Sequence, residues 1–143
     1  MPVLTTYTMP RPFHGFNIPI AIQSAYLKDY AQRSGFTFSL PITELTTSKS
    51  YALLRKILAN NEETTLNLGV VSAFAFPVRN LQMMNDIFLP YISSDAIVHF
   101  PLESLTLNFK ELLSWSELHI SIQEHIPSFN EILTRYGSEP LLT

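Results

Sequence analysis

The sequence predicts a single α/β domain, with a four-stranded parallel sheet and helices on both of its faces. Segments rich in β-branched and apolar residues alternate along the chain with segments of helical periodicity. This alternation predicts parallel strands joined by right-handed crossovers. The length of 143 residues suits one domain. We place the domain at residues 1–137 and expect a loose tail at 138–143.

Four strands are predicted from apolar and β-branched runs that proline or polar residues interrupt. The first strand ends at Pro10, and Pro41 closes the second. The centre of the third strand is a continuous apolar run, as expected for a strand covered on both faces. The predicted ranges are 3–9, 36–40, 65–74 and 95–100.

The helices are predicted from apolar residues at helical spacing and from residues that begin or stop a helix. Pro19 suits a first helical turn and Gly35 ends the first helix, whereas Asn80 and Asn108 suit the N-caps of the third and the last. The second helix, within 46–61, begins with capping residues and places Tyr51, Leu54 and Leu58 in one stripe. The last helix spans about 109–124, and a short helix at 129–135 follows Pro127.

The last helix is apolar on two sides. Phe109, Leu112, Leu113, Ser116 and Ile120 form one stripe, whereas Trp115, Leu118 and Ile122 form a second. Because a helix that is apolar on two sides must be covered on two sides, either the C-terminal tail or a second subunit covers the second stripe. Charged residues make up only 15% of the chain, so we expect a homo-oligomer that forms through the 109–122 helix.

The composition argues against several classes of protein. The net charge is −3 and the basic residues are scattered, which disfavours a nucleic-acid partner. The chain has no cysteine, so disulfides and thiolate metal sites are excluded. No apolar run is long enough for a membrane span, and the N-terminus lacks the pattern of a signal peptide. The expected location is therefore cytoplasmic.

The stretch "RPFHGFNIPIAIQ", residues 11–23, is the strongest candidate for a site. It follows the first strand and leads into a helix N-terminus, and ligands of α/β sheets bind at the carboxyl ends of strands. Arg11 could hold a phosphate or carboxylate, and Gly15 allows the loop to turn. Gln23 lies on the core face of the helix, so its amide needs either the loop backbone or a ligand as a partner. The predicted group is Arg11, His14, Gly15, Asn17 and Gln23.

Further candidates follow the other strands, namely Glu44, Ser72, Arg79 and Glu103. His14 and Glu44 are the titratable groups assigned to proton transfer, if a reaction takes place. His99 and Glu103 make a poor metal signature, and no metal or cofactor is predicted. No phosphate loop, dinucleotide fingerprint or nucleophile elbow is present.

Two segments resemble the catalytic domains of serine recombinases (resolvases). Residues 23–36, "QSAYLKDYAQRSGF", are similar to their first helix and the turn into strand two. Residues 69–80, "GVVSAFAFPVRN", are similar to their third strand and an Arg-bearing loop. The resemblance covers about residues 3–105 and implies a three-layer sandwich of the flavodoxin and resolvase type. The nucleophilic Ser of that family follows strand one, where this chain has "YTMPRPFHG", so recombinase chemistry is not implied.

A second resemblance is to the sporadic carbohydrate cluster proteins, which are encoded among bacterial genes for surface polysaccharides. It rests on the spacing R-P-F-H-G-x-x-I-P-x-x-x-Q-x-x-x-L-x-D-Y from Arg11 to Tyr30, apart from the tighter spacing of Leu27 and Asp29, on "LPITE" at 40–44 and on "PLESL" at 101–105. This chain departs from that pattern at Ile20 and Ala21 and in its longer C-terminal part. The resemblance implies a pathway rather than a reaction.

Two functions from different classes therefore stay open. In the first, a protein of bacterial surface-carbohydrate biosynthesis binds a sugar phosphate, nucleotide sugar or acidic sugar at the carboxyl ends of the strands. In the second, a non-catalytic oligomeric partner with a degenerate recombinase-like fold regulates neighbouring pathway enzymes. The sequence leaves open whether the protein is an enzyme.

Overall fold

The computed structural model describes residues 2–10, 12, 17–44, 51–60 and 65–124, and within them the chain forms one mixed α/β domain. The predictions for Arg11, His14, Gly15, the 129–135 helix and the tail lie outside the described residues. The described elements are β1 (Val3–Thr8), α1 (Ile20–Arg33), β2 (Thr37–Phe38), β3 (Ile42–Thr43), α2 (Ala52–Ala59), β4 (Asn67–Gly69), α3 (Leu81–Phe88), β5 (Ile97–Phe100), β6 (Leu105–Asn108) and α4 (Phe109–Glu124).

The sheet contains six strand segments and is mixed, so the prediction of a four-stranded parallel sheet is wrong. Its order is β2-β1-β4-β5-β6, and β3 also pairs with β1. All the described pairings are parallel except that of β5 with β6. The chain reverses through a 3₁₀ turn at Pro101–Glu103 and a left-handed Ser104, with φ of 55°. It then returns beside β5 as β6, which lies between the predicted fourth strand and the predicted last helix and was not itself predicted.

The predicted second strand at 36–40 is observed as β2, and a bulge separates it from β3, which lies beyond the predicted end at Pro41. Val3 pairs with Thr37, whereas Tyr7 pairs with Ile42, so this edge contains one residue more than β1 does. The Ser39 side chain replaces the missing ladder bonds. Its hydroxyl donates to the Leu4 carbonyl at 2.8 Å and accepts from the Thr6 amide at 3.3 Å. The extra residue is accommodated because a side chain satisfies the backbone of β1.

One face of the sheet packs against α1. His99 of β5 contacts Tyr30 of α1, and His99 pairs in register with Gly69 of β4. Leu4 lies on this same face, where its side chain fills the space above Gly69. A Cβ added at Gly69 would lie only 2.8 Å from Leu4 Cδ2, so the close packing of β1 and β4 under α1 depends on glycine.

The main apolar core lies on the opposite face of the sheet. Buried residues of β1, β4 and β5 join buried residues of α2, α3 and α4 there. The Phe76 ring packs 5.6 Å from that of Phe100 and 6.2 Å from that of Tyr7. The rings of Phe88 and Phe109, 5.1 Å apart, connect α3 with α4.

The predicted caps of α3 and α4 are confirmed. The Asn80 side chain accepts from the Met83 amide at 3.1 Å. At α4, Asn108 and Glu111 exchange side-chain-to-backbone hydrogen bonds of 2.8 and 3.0 Å, which is a capping box. Among the described residues, no helix has both the length and the apolar character that crossing a membrane requires.

The two apolar stripes predicted for α4 differ in burial. The first is mostly buried, and the Ser116 hydroxyl donates to the Val78 carbonyl. In the second, the Trp115 ring packs edge-on against Phe74. Leu118 and Ile122, which follow Trp115 on this stripe, are 60% and 56% exposed among the described residues.

Candidate functional site

The carboxyl ends of the parallel strands bring together buried polar side chains. Gln23, Glu44 and Ser72 are each at most 1% exposed, which is uncommon for polar residues without a hydrogen-bonding role. Each of them follows a strand or lies in the first turn of α1, as the sequence predicts. Their partners show what each one does.

Gln23 joins the two ends of the loop that contains the candidate residues 11–17. Its Nε2 donates to the carbonyls of Met9 and Ile18, both at 2.8 Å. Its Oε1 accepts from the Met9 amide at 3.3 Å. Of the two partners considered for this amide, the described bonds go to the loop backbone. The assignment of Gln23 as a ligand-binding residue stays a prediction.

Glu44 caps α2 from a neighbouring strand. The residue that precedes α2, Tyr51, has a left-handed backbone with φ of 55° and makes no side-chain cap. Instead the Glu44 carboxylate accepts from the amides of Leu53 and Leu54, at 3.3 and 3.4 Å. The Tyr7 hydroxyl also donates to Glu44, at 2.8 Å. These amides are the second and third of the helix, which an N-cap side chain would normally bind.

Glu103 and Ser72 together cap the 3₁₀ turn Ala73–Ala75 that follows β4. The Ser72 hydroxyl donates to Glu103 at 2.8 Å and accepts from the Phe74 amide at 3.1 Å. The Ala73 amide donates to the other oxygen of Glu103. Two predicted site residues are thus in direct contact, and both bind backbone groups of the protein itself.

The remaining predicted residues are less enclosed. Asn17 and Arg79 are exposed, and Asn17 lies two residues before the N-cap position of α1. Arg11, His14 and Gly15 lie outside the described residues. Within the described ranges, no group of three or more potential metal ligands comes together.

Helix α1 differs from its neighbours at this edge in how it begins. Carboxylates cap α2 and the turn after β4, and Asn80 caps α3. At α1 the N-cap position is Pro19, which makes no side-chain cap, and the first turn contains no acidic residue. The first amides of a helix favour an anion. Among these described helix starts, α1 is the one without a side-chain cap. The start of α3 also lacks a carboxylate, but its Met83 amide is bound by the Asn80 side chain.

A part-buried cluster of Tyr30, His99 and Asn67 lies between α1 and the sheet. The Tyr30 hydroxyl is 2.7 Å from His99 Nδ1, and the Asn67 amide oxygen is 3.1 Å from Nε2. Since the amide oxygen only accepts, Nε2 donates to it and Nδ1 accepts from the tyrosine. Burial lowers the pKa of His99 below its usual value of 6.5. Sequence spacing does not predict this cluster, because Tyr30 and Asn67 are distant from His99 along the chain.

Among solved structures, the chain is similar to the crystal structure of the N-terminal catalytic domain of TP901-1 integrase. The two share 20% sequence identity at a TM-score of 0.51, and the match covers 90% of this chain and 98% of that chain. No family model and no curated protein matches the sequence. At this identity the likeness shows the fold alone, and it supports the resolvase-like resemblance at that level.

The hydroxyl at the end of β1 is enclosed. Thr8 is 1% exposed, and its Oγ1 lies 2.8 Å from Oγ1 of Thr43. A nucleophile must reach its substrate, and this oxygen already has a partner inside the sheet. Thr8 therefore does not replace the nucleophilic Ser that the serine-recombinase family has after strand one.

Proposed function

We propose that this protein binds a small acidic sugar derivative at the carboxyl edge of its sheet and acts in bacterial surface-carbohydrate biosynthesis. The ligand class is a sugar phosphate, a nucleotide sugar or an acidic sugar. The pathway in this proposal comes from the sequence resemblance of residues 11–30 to the sporadic carbohydrate cluster proteins. The anionic character of the ligand is supported by the structure of the edge.

The observation on which this proposal rests is the contrast between the start of α1 and two neighbouring starts, those of α2 and of the turn after β4. Glu44 and Glu103 occupy the amides that begin α2 and the turn after β4. An anion would meet carboxylates there, whereas the first turn of α1 contains no acidic residue. In the proposal, the N-terminus of α1 and Arg11 hold the anionic group together.

The other predicted residues complete this proposed site. Gln23 sets the positions of Met9 and Ile18, from which the loop leaves and returns. Asn17 and Arg79 are exposed polar groups that offer hydrogen bonds to the sugar. His14 is the proposed proton-transfer group, because an imidazole titrates near neutral pH. Glu44 is assigned the same role, although its described bonds are those of a helix cap.

A thermal-shift screen against sugar phosphates, nucleotide sugars and keto-acid sugars tests this proposal. A ligand present at a hundredfold excess over Kd stabilises the folded state by about 2.7 kcal/mol. We expect Arg11→Ala to abolish the shift. Lys110→Ala is the matched control, because it removes one positive charge from the exposed first turn of α4.

The outcomes separate clearly. A hit lost in Arg11→Ala and kept in Lys110→Ala supports binding at this edge, and it justifies a search for turnover with His14→Ala. A hit that both variants keep places the ligand elsewhere and contradicts the proposal. The absence of any hit across the panel favours the second candidate function.

The second candidate is a non-catalytic oligomeric partner of pathway enzymes, favoured by the exposed Leu118 and Ile122 on α4. In this function a homo-oligomer forms through the 109–122 helix. Sedimentation of the purified protein against a Leu118→Glu variant tests it, because a charge in an apolar interface is costly. An oligomeric wild type that becomes monomeric in the variant supports this function. A wild type that is itself monomeric contradicts it.

A further inference from the structure

A groove of about 400 Å³ lies between α2 and the part of the sheet where β3 pairs with β1. Its volume is within the range of small-molecule sites, about 300–1,000 Å³. It lies away from the loop ends that Gln23 joins. Its lining consists of Thr5, Ile42 and Leu66 on the sheet side and of Leu53, Lys56, Ile57 and Asn60 on α2.

The walls of this groove are mainly apolar. Ile42, Leu53 and Ile57 are half-buried, so part of their apolar surface faces the groove. Leu66 is buried and belongs to the main core. An apolar ligand portion in this position would remove further surface of these side chains from water, which is favourable.

The polar groups of the lining are not engaged with other described residues. Within the part of the chain that the structure describes, the side chains of Thr5, Lys56 and Asn60 make no hydrogen bond or ion pair. Lys56 lies in the last turn of α2, and Asn60, four residues later, is the C-cap residue on the same side of the helix. Among the described residues that line the groove, Lys56 is the one that is charged, and none is a carboxylate.

We propose that this groove binds a small amphipathic anion, with an aliphatic or aromatic body against the apolar walls and a carboxylate or phosphate on Lys56. Asn60 and Thr5 supply hydrogen bonds to the anionic head. The volume fits a small molecule rather than a protein segment, and Lys56, the one cation of the described lining, sets the sign of the ligand. This site goes beyond the proposed carbohydrate function and does not depend on it.

Isothermal titration calorimetry with decanoate tests the proposal. Decanol is the neutral probe with the same chain, and acetate is the anion without one. We expect decanoate to bind roughly tenfold more tightly than decanol, because an ion pair beside an apolar wall is partly desolvated. Acetate should give no measurable heat, and added salt should weaken decanoate binding.

Two matched variants decide the result. Lys56→Gln should weaken decanoate binding about tenfold and leave decanol binding unchanged. Lys28→Gln removes an equally exposed lysine from α1 and should change neither. Equal decanoate affinities in both variants overturn the proposal, as does the absence of decanoate binding to the wild type. Because both lysines are exposed, neither variant should unfold the protein, and an unchanged Tm verifies this.

Discussion

Replacing Gln23 by methionine tests whether its amide fixes the ends of the first loop. Methionine has a similar length and removes all three hydrogen bonds to the backbone of Met9 and Ile18. The side chain is 1% exposed, so water cannot replace the lost partners without opening the packing around α1. The variant thus leaves one buried amide and two carbonyls without this partner.

The expected loss follows from the number of bonds. Each intramolecular hydrogen bond contributes about 0.5–1.5 kcal/mol net, and three give about 3 kcal/mol. The apolar methionine recovers part of this through its own burial. For a domain of this size, a loss of about 3 kcal/mol lowers Tm by roughly 6–12 °C.

Urea unfolding of the wild type, Gln23→Met and Gln32→Met measures this effect. Gln32 is exposed on the same helix, so its replacement should change the free energy of unfolding by less than about 0.5 kcal/mol. A Gln23→Met loss no larger than that of Gln32→Met would refute the reasoning. A large loss accompanied by loss of ligand binding would connect the loop ends to the proposed site.

Three further predictions concern the sheet. Gly69→Ala should lower the free energy of unfolding by about 1–3 kcal/mol, because the new methyl group clashes with Leu4. Leu4→Ala should then cost less stability in the Gly69→Ala protein than in the wild type. Strictly additive losses in the free energy of unfolding, measured in urea, would contradict the clash. Because burial lowers the pKa of His99, the contribution of His99 to stability should be constant above pH about 6.5 and fall as the pH drops below that value. His99→Gln should flatten this pH profile, and an equal slope in the variant and the wild type would contradict the prediction. Tyr7→Phe and Glu44→Gln should show a coupling of about 1 kcal/mol in a double-mutant cycle, and independent effects would mean that their 2.8 Å hydrogen bond contributes nothing.

Local signals predicted the helices well. The stripe of Tyr51, Leu54 and Leu58 is buried as expected, and the caps at Asn80 and Asn108 are in place. These features depend on residues within a few positions of one another, and sequence spacing reports such contacts directly. The likeness to a solved integrase domain supports the fold class at the same coarse level.

The strands were harder because their limits depend on partners far along the chain. The split between β2 and β3 follows from the Ser39 hydroxyl, which bonds to β1 thirty-five residues away. β6 was missed although Leu105 to Asn108 alternate between apolar and polar residues, as a half-buried strand does. Its four residues directly follow a turn, and its pairing with β5 fixes it as a strand.

For the candidate site, the sequence located the carboxyl edge but did not reveal what occupies the helix starts. Glu44 follows a strand at the expected position, yet its capping of α2 depends on Tyr51 lacking a side-chain cap. Glu103 likewise reaches the turn after β4 from the 3₁₀ turn that follows β5, which no local pattern indicates. Such caps between segments appear only when the chain is folded.

These caps decide where an anion could bind at this edge. A carboxylate at a helix start satisfies the free amides and cancels the positive end of the helix dipole. Because Glu44 and Glu103 do this at their segments, an anionic ligand there would have to displace a buried side chain and face its charge. The first turn of α1 contains no acidic residue, and Gln23 bonds to Met9 and Ile18 on the two sides of the loop. The proposed function therefore places the anion at α1 rather than at α2 or at the turn after β4, which is why Arg11 is the residue to change first.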